Sequence, residues 1–275
     1  MIIEKQPGGC IRLLHDVEEI NKPYLLISDV HFDSPECDRK LFKRHMDQAK
    51  ERNAGILCFG DFFDVMQSRD DRRRNKSGLR PENKRADYLD SVIEEAVEFL
   101  TPYKDNLVLF SLGNHESSAL NRMETDLLKR LTKDIGGQVQ YAPYQGFVRF
   151  QHLVTATSRR TTTMFFHHGN WGGIIGRGTQ STARFASVAP DADIVVSGHT
   201  HSRWLMPHAQ FRLTQNGKTE IISRLHVKIG GYKSEFEKGY GWATEKITRP
   251  GDLGGWFLTF HQEEGKVVPS LTMTI

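Results

Sequence analysis

Ile56-Leu57-Cys58-Phe59-Gly60-Asp61-Phe62-Phe63-Asp64 is the run on which the reading of this chain turns. Four consecutive apolar residues, entered from the break at Gly55, read as a fully buried strand. The strand stops at a glycine, and two carboxylates follow within four residues. The same order recurs along the chain. Leu25-Leu26-Ile27 leads to Asp29-Val30-His31, and the apolar run 107–112 leads to Gly113-Asn114-His115-Glu116. The β-rich run 161–166 leads to His167-His168-Gly169, and Ile194-Val195-Val196 leads to Gly198-His199-Thr200-His201. Carboxylates, imidazoles and an amide at the ends of buried strands suit hard-to-borderline divalent metals.

Between these strands the pattern is helical. Residues 38–52 read as a helix, and Leu89, Val92, Ile93, Ala96, Val97 and Leu100 form the apolar stripe of a second over 88–100, ended by Pro102. Residues 123–135 read as a third, closed by Gly136-Gly137, and residues 180–188 as a fourth. The last third is mostly β, with Asn216-Gly217 as the turn of a hairpin joining 211–213 to 220–222. A strand–helix first half and a β-rich end give the class α/β, two sheets face to face with helices outside. Residues 1–22 have weak pattern and read as a lead-in. Residues 23–275 read as one domain, with a basic insertion at about 68–85.

Ligands on loops after parallel strands lie where open α/β sheets build their sites. Asp29 and His31, two residues apart, can turn toward one ion. The Asp61 carboxylate has two oxygens and can bridge two ions, Asn114 offers a neutral carbonyl oxygen, and His168, His199 and His201 offer imidazoles. Two cations about 3.5–4 Å apart acidify a bridging water and clamp both oxygens of an in-line displacement, an arrangement suited to phosphoester hydrolysis.

D-x-H, G-D-x-x-D, G-N-H-E, H-G and G-H-x-H, in this order from Asp29 to His201, resemble the motifs of the calcineurin-like metallophosphoesterase superfamily. The resemblance implies a four-layer αββα sandwich of two mixed β-sheets flanked by helices. It implies one metal at Asp29, His31, Asp61 and His201, and a second at Asp61, Asn114, His168 and His199, bridged by Asp61. His115 matches the histidine that contacts phosphate and protonates the leaving oxygen, and Asp64 the carboxylate that orients it. The phosphoprotein phosphatase branch carries an arginine before G-N-H-E and another after G-D-x-x-D. Leu112 and Val65 stand there instead.

The expected protein is therefore a phosphoesterase with two divalent ions, manganese first, with iron, zinc and nickel as alternatives. A metal-bridging hydroxide attacks phosphorus in a phosphodiester of a nucleotide or nucleic acid. The alternatives are a phosphomonoesterase on a small-molecule or protein substrate and a non-catalytic scaffold, the latter disfavoured because all seven ligand positions and His115 are filled.

Other stretches carry weaker signals. The tract Arg69 to Arg85 can form a basic rim for an extended polyanion, but it has no interleaved aromatics for base stacking. The glycine-rich run 169–178 carries Arg177, a candidate phosphate contact with Asn114, and is not a P-loop because no Gly-Lys-Ser/Thr follows. His167 reads as structural, Trp204 as packing between sheets, and Glu116 either as a support for the ligands or as an ordinary helix N-terminal acid.

A formal charge of +3 over 275 residues excludes a polycation, so attraction for anions must be local. Cys10, Cys37 and Cys58 are odd in number and unpaired in spacing, which argues against a disulfide framework or a thiolate zinc site. With no signal-peptide pattern and no long apolar run, the expected location is the cytoplasm, with no membrane partner.

Overall fold

Strands that are apolar at every position must be covered on both faces, and the computed structural model shows this for Tyr24–Ile27, Gly55–Phe59 and Leu107–Ser111, buried throughout. The structure describes residues 2–16, 19–65, 79–155, 157–170, 176–236, 239, 242–248 and 250–275. In chain order the strands are β1 (Ile2–Lys5), β2 (Ile11–His15), β3 (Tyr24–Ile27), β4 (Gly55–Phe59), β5 (Leu107–Ser111), β6 (Gln140–Ala142), β7 (Gln145–Leu153), β8 (Arg159–His167), β9 (Ile194–Ser197), β10 (Trp204–Leu213), β11 (Thr219–Lys228), β12 (Trp256–Glu263) and β13 (Lys266–Met273). The helices are α1 (Arg39–Glu51), α2 (Tyr88–Leu100), α3 (Asn114–Met123), α4 (Leu127–Ile135), α5 (Ser181–Val188) and the short α6 (Trp242–Glu245).

The strands form two mixed sheets, ordered β1-β2-β7-β8-β9-β11-β10 and β13-β12-β3-β4-β5-β6. In the second, β3, β4, β5 and β6 run parallel, and β12 is antiparallel to β3. In the first, β8, β9 and β11 run parallel. Leu26, Leu57, Phe59 and Val108 of one sheet pack with Phe150, Met164, Phe166, Val196 and Val227 of the other. Outside the second sheet, α1, α2 and α4 bury Phe42, Met46, Val92, Ala96, Leu128 and Leu131. Outside the first, α5 buries Phe185 against Phe165 and Val195. This is the four-layer αββα sandwich that the motifs implied.

The local rules behind α1 are visible. The Asp38 side chain caps it by accepting from Leu41 N at 2.9 Å, and Phe42, His45, Met46 and Ala49 fall on one face at helical spacing. The helix expected over 123–135 begins only at Leu127, as α4, and a separate helix, α3, which the periodicity did not suggest, precedes it. Met123 closes α3, Glu124 turns into the left-handed region at φ 52°, and Asp126 caps α4 through Lys129 N. A side-chain cap inside an apolar pattern outweighed the periodicity. The predicted hairpin strands are also longer than the sequence suggested, pairing from Trp204↔Lys228 out to Leu213↔Thr219.

Residues 2–15, which looked unpatterned, hold β1 and β2, and β2 pairs in parallel with β7. Leu13 is buried between the sheets while its neighbours alternate outward, too short a run to stand out in the sequence. Most of the basic tract, residues 66–78, lies outside the described residues, as do residues 171–175 of the glycine-rich run. Among the described residues no helix is long and apolar enough to cross a membrane, and all three cysteines are free.

The side of β2 and β7 away from solvent holds two buried histidines. His15 and His152 stack with ring centroids 4.5 Å apart, and His15 Nε2 meets the Tyr24 hydroxyl. Burial, with the neighbouring His152, lowers His15 to about 3, and burial lowers His152 to about 4. Both are neutral when folded and bind protons more readily when unfolded, so the stability they support is present above pH 6.5 and is lost as pH falls toward 4. His152→Phe should remove its share of that acid sensitivity. Between pH 7 and pH 5 the variant should lose about 2 kcal/mol less than the wild type, measured by urea unfolding of the metal-free chains.

Candidate metal centre

All the motif residues sit just beyond the C-terminal ends of parallel strands, where the two sheets open. Asp29 and His31 follow β3, Asp61 and Asp64 follow β4, and Asn114, His115 and Glu116 open α3 after β5. His168 follows β8, and His199 and His201 follow β9. To turn inward so soon after a strand, the backbone takes the left-handed region at Asp29 (φ 52°), His31 (49°), Asp61 (50°), His199 (74°) and His201 (44°). Such residues cost about 1–2 kcal/mol each and persist only where surroundings fix them.

Those surroundings are hydrogen bonds between the loops. Asp29 N donates to Gly60 O at 3.0 Å, His31 N to Asp61 O at 3.1 Å, and Gly198 N to His168 O at 2.7 Å. Across the two sheets, His199 N donates to both Asp29 carboxylate oxygens at 2.9 Å. Ser28 Oγ donates to Phe59 O at 2.9 Å.

Three groups of ligand-type side chains result: Asp29, His31 and His201; Asp61, His168 and His199; and His31, Asp64 and His115. In the first, the Nε2 atoms of His31 and His201 face each other at 3.2 Å, and Asp29 Oδ1 lies 3.6 Å from His201 Nε2. Their outer nitrogens meet carboxylates: His31 Nδ1 is 2.8 Å from Asp64 Oδ1, and His201 Nδ1 is 3.2 Å from Glu235 Oε2. A carboxylate only accepts, so it favours the hydrogen on the Nδ1 beside it and a lone pair on the inward Nε2 when the ring is neutral. His201 Nδ1 hydrogen-bonds Glu235, while His31 Nδ1 faces Asp64 without hydrogen-bond alignment. Two lone pairs and a carboxylate aimed at one point are satisfied by a shared cation.

The second group is built the same way. His168 Nδ1 donates to Phe59 O at 2.8 Å, turning Nε2 toward Asp61 Oδ2 at 3.1 Å and Asn114 Oδ1 at 3.1 Å. His199 Nδ1 lies 2.7 Å from the same Asn114 oxygen. Burial opposes charge on His168, but the carboxylates of Asp61 and Asp29 raise it to about 9. Burial alone would raise the Asp61 carboxyl, yet His168, His115 and His31 hold it well below the usual range. Asp29 and Asp61 are both buried. The donor set is oxygen and nitrogen and inward-facing, and it fits divalent cations.

His115 differs in detail from expectation. Its Nδ1 meets the backbone carbonyl of Asp64 at 2.5 Å, and the Asp64 carboxylate stands 3.9 Å away, engaged with His31 and with Lys233 Nζ at 3.1 Å. The carbonyl therefore orients His115, because Lys233 and His31 draw the carboxylate to the other side. The Nδ1 contact leaves Nε2 as the nitrogen able to exchange a proton, 3.8 Å from Asp61 Oδ2. Arg177 turns its guanidinium to Thr200 O at 3.3 Å and Ser202 Oγ at 3.1 Å, on the loop bearing His199 and His201. Trp204 Nε1 donates to Arg177 O at 3.2 Å. His167 Nδ1 accepts from Gly169 N at 3.0 Å, and its ring lies against Phe185 and Tyr144, on the side of α5.

Several supporting residues have no motif of their own. Glu116 is buried and accepts from Gly113 N, Asp61 N and Phe63 N at 2.9–3.0 Å, tying α3 to the Asp61 loop as a support for the ligands. Burial and the Asp61 charge raise it to about 7. Asp33 accepts from Asp64 N at 2.6 Å, Val65 N at 3.0 Å and the Tyr88 hydroxyl at 3.0 Å. Its position two residues past His31 was a usable signal. Lys228, buried beneath the His199 loop, donates to Ser197 Oγ at 3.3 Å and is lowered by burial to about 8. Lys233 and Glu235 had no signal in the sequence.

A divalent-cation centre between two sheets, built from strand-end carboxylates and imidazoles, defines the class. A model of calcineurin-like phosphoesterases matches residues 22–203, and the chain belongs to that family. Among solved structures, vacuolar protein sorting 29 from Cryptosporidium parvum is 16% identical and covers 93% of this chain and 98% of its own, with a TM-score of 0.41. GAP50, the anchor in the inner membrane complex of Plasmodium, is 12% identical over 92% and 85%, with a TM-score of 0.46. A metallophosphoesterase from Sphaerobacter thermophilus is 14% identical over 91% and 88%, with a TM-score of 0.39. Likenesses this remote bear on neither activity nor partners. No curated protein matches the sequence.

The cradle leaves no room for added side chains. A Cβ at Gly113 would overlap Asp61 Oδ1 and Asp61 N, and one at Gly198 would overlap Ser28 Oγ and Asp29 Oδ2. Gly113→Ala and Gly198→Ala should each destabilise by about 1–3 kcal/mol and lower Mn²⁺ stoichiometry. Gly265→Ala, with nothing within 4 Å, should leave stoichiometry unchanged. Urea unfolding and metal analysis of the three variants check this.

Proposed function

We propose that the chain is a metal-dependent phosphoester hydrolase with two divalent ions, manganese favoured, acting on phosphodiester bonds of a nucleotide or nucleic acid. The observation that carries the hydrolase reading is the pair of adjacent, inward-facing donor groups around buried Asp29 and Asp61. Asp29, His31, Asp61 and His201 would hold one ion, and Asp61, Asn114, His168 and His199 the other. When bound, the ions supply an acidified water and neutralise phosphoryl charge.

The chain's own residues do the rest. The strained loop ends fix the donors before substrate arrives, so little reorganisation is needed on binding. Asn114, already turned into the centre, is in place to touch a phosphoryl oxygen as well as an ion. His115, with Nδ1 held by the Asp64 carbonyl, offers Nε2 to the leaving oxygen and gives it a proton. Arg177 serves phosphate indirectly, by bracing the loop that carries His199 and His201.

The diester preference rests on charge. A monoester dianion needs more cationic neutralisation than a diester monoanion, and Leu112 and Val65 supply none where the phosphatase branch has arginines. The charge of the basic tract at about 68–85 adds to this reading a rim for a longer polyanion, although Arg80 pairs with Glu82 and Arg85 with Asp87 and Glu94. One domain, with β1 and β2 joined to residues 23–275, and a cytoplasmic setting complete it. A phosphomonoesterase is the alternative within the class.

Activity of the Mn²⁺-loaded protein should be measured on p-nitrophenyl phosphate, its bis ester and single-stranded DNA. We expect the bis ester to be cleaved faster than the monoester, and turnover of the monoester alone would overturn the diester preference. His115→Asn should lower kcat by about 10²–10⁴-fold while metal binding persists. A scaffold would show neither turnover nor that loss.

A further inference from the structure

The segment after β11, residues 230–236, carries no motif, yet it is fastened to the first donor group at several points. Tyr232 N donates to Asp29 O at 2.9 Å, Asp38 N to Tyr232 O at 2.8 Å, and Ser234 N to Glu36 O at 2.8 Å. Gly231, at φ 77°, passes so close to Asp29 that an added Cβ would lie 2.9 Å from its carbonyl oxygen. From this strap Lys233 Nζ reaches Asp64 Oδ1 at 3.1 Å, and Glu235 Oε2 reaches His201 Nδ1 at 3.2 Å. The Asp64 oxygen that receives Lys233 is the one 2.8 Å from His31 Nδ1.

Both imidazoles of the Asp29 group thus have a carboxylate beside the outer nitrogen, Glu235 of the strap in a hydrogen bond to His201 and Asp64, pinned by the strap, in an ion-pair contact with His31. In the other group His168 rests on a neutral carbonyl, Phe59 O. A carboxylate behind an imidazole fixes the tautomer and makes the inward nitrogen a better donor, a carbonyl less so.

We propose that Glu235 and the Lys233–Asp64 pair are positioning residues for one ion only, that held by Asp29, His31 and His201, and that the Asp64 carboxylate serves this ion rather than the orientation of His115. This rests on the dinuclear reading above. The consequence is a centre whose two ions answer to different supports. Glu116 and Phe59 O back the Asp61–His168 side, while the strap backs the Asp29–His201 side, and loss of the strap contacts leaves the other ion in place.

The test is a calorimetric Mn²⁺ titration of the metal-stripped full chain. Wild type should bind two ions. Glu235→Gln and Asp64→Asn should each weaken one of them by about 10–100-fold and leave the other within about two-fold. Asn114→Ala should weaken the other ion, so that Glu235→Gln combined with Asn114→Ala weakens both. Thermal unfolding of the metal-free chains confirms that each variant folds, and Glu235→Asp should recover part of the lost affinity. If Asp64→Asn does not fold, Glu235→Gln decides alone. Variants that keep both affinities, or lose both equally, overturn the proposal, as does Asp64→Asn with wild-type affinities and a kcat reduced to that of His115→Asn. A wild type that binds no Mn²⁺ is a separate result, and it overturns the dinuclear reading itself.

Discussion

Asp29 and Asp61 set two buried carboxylates beyond the strand ends, where the sheets open, with Asp33 and Glu116 also buried nearby. Negative charge out of water is tolerated only when it is paired or fully hydrogen-bonded. Asp33 and Glu116 are settled by backbone N–H donors and a tyrosine hydroxyl, and Asp64 by Lys233. Asp29 and Asp61 accept N–H bonds too, from His199 and His115, but their remaining lone pairs point at imidazoles. The raised pKa of His168 is the mark of that demand for positive charge. The hydrogen bonds from neighbouring loops hold these two acids among imidazoles, in groups that could hold a cation.

The sandwich holds them by backbone geometry. Five of the motif residues take left-handed conformations immediately after buried strands, and each such turn is locked by a neighbouring loop rather than by its own sequence. Asp29 is the common element: its carbonyl receives the strap at Tyr232 N, its amide gives to Gly60 O, and its carboxylate takes His199 N from the opposite sheet. The sheets are therefore joined at the site by polar contacts as well as by the apolar interior formed by Leu26, Phe59, Phe166 and Val196. Strain is concentrated where the chemistry is proposed, and the fully buried strands around it supply the stability to sustain it.

Much of this was legible in the sequence, for a definite reason. Runs such as Ile56–Phe59 and Ile194–Val196 are apolar at every position, which only strands covered on both faces require, and the ligands fall at fixed offsets beyond them. The periodic stripe of α2 was equally clear. Where a local polar contact competed with periodicity the boundary moved, as at Asp126, whose cap starts α4 at Leu127 rather than at Met123. The reading missed β1 and β2, whose short runs make sense only against β7.

The sequence by itself determined the layers and the set of side chains in the centre, because strand burial and ligand type are properties of neighbouring residues. Only the tertiary structure decided which atom of each side chain faces inward and what stands behind it. The Asp64 carboxylate turned to His31 and left His115 to a carbonyl because Lys233, distant in sequence, reaches the same oxygen. Glu235 behind His201 and Glu116 behind Asp61 are likewise pairings between segments that meet only on folding. Such contacts leave no periodicity and no spacing, since charge acts through space and not along the chain.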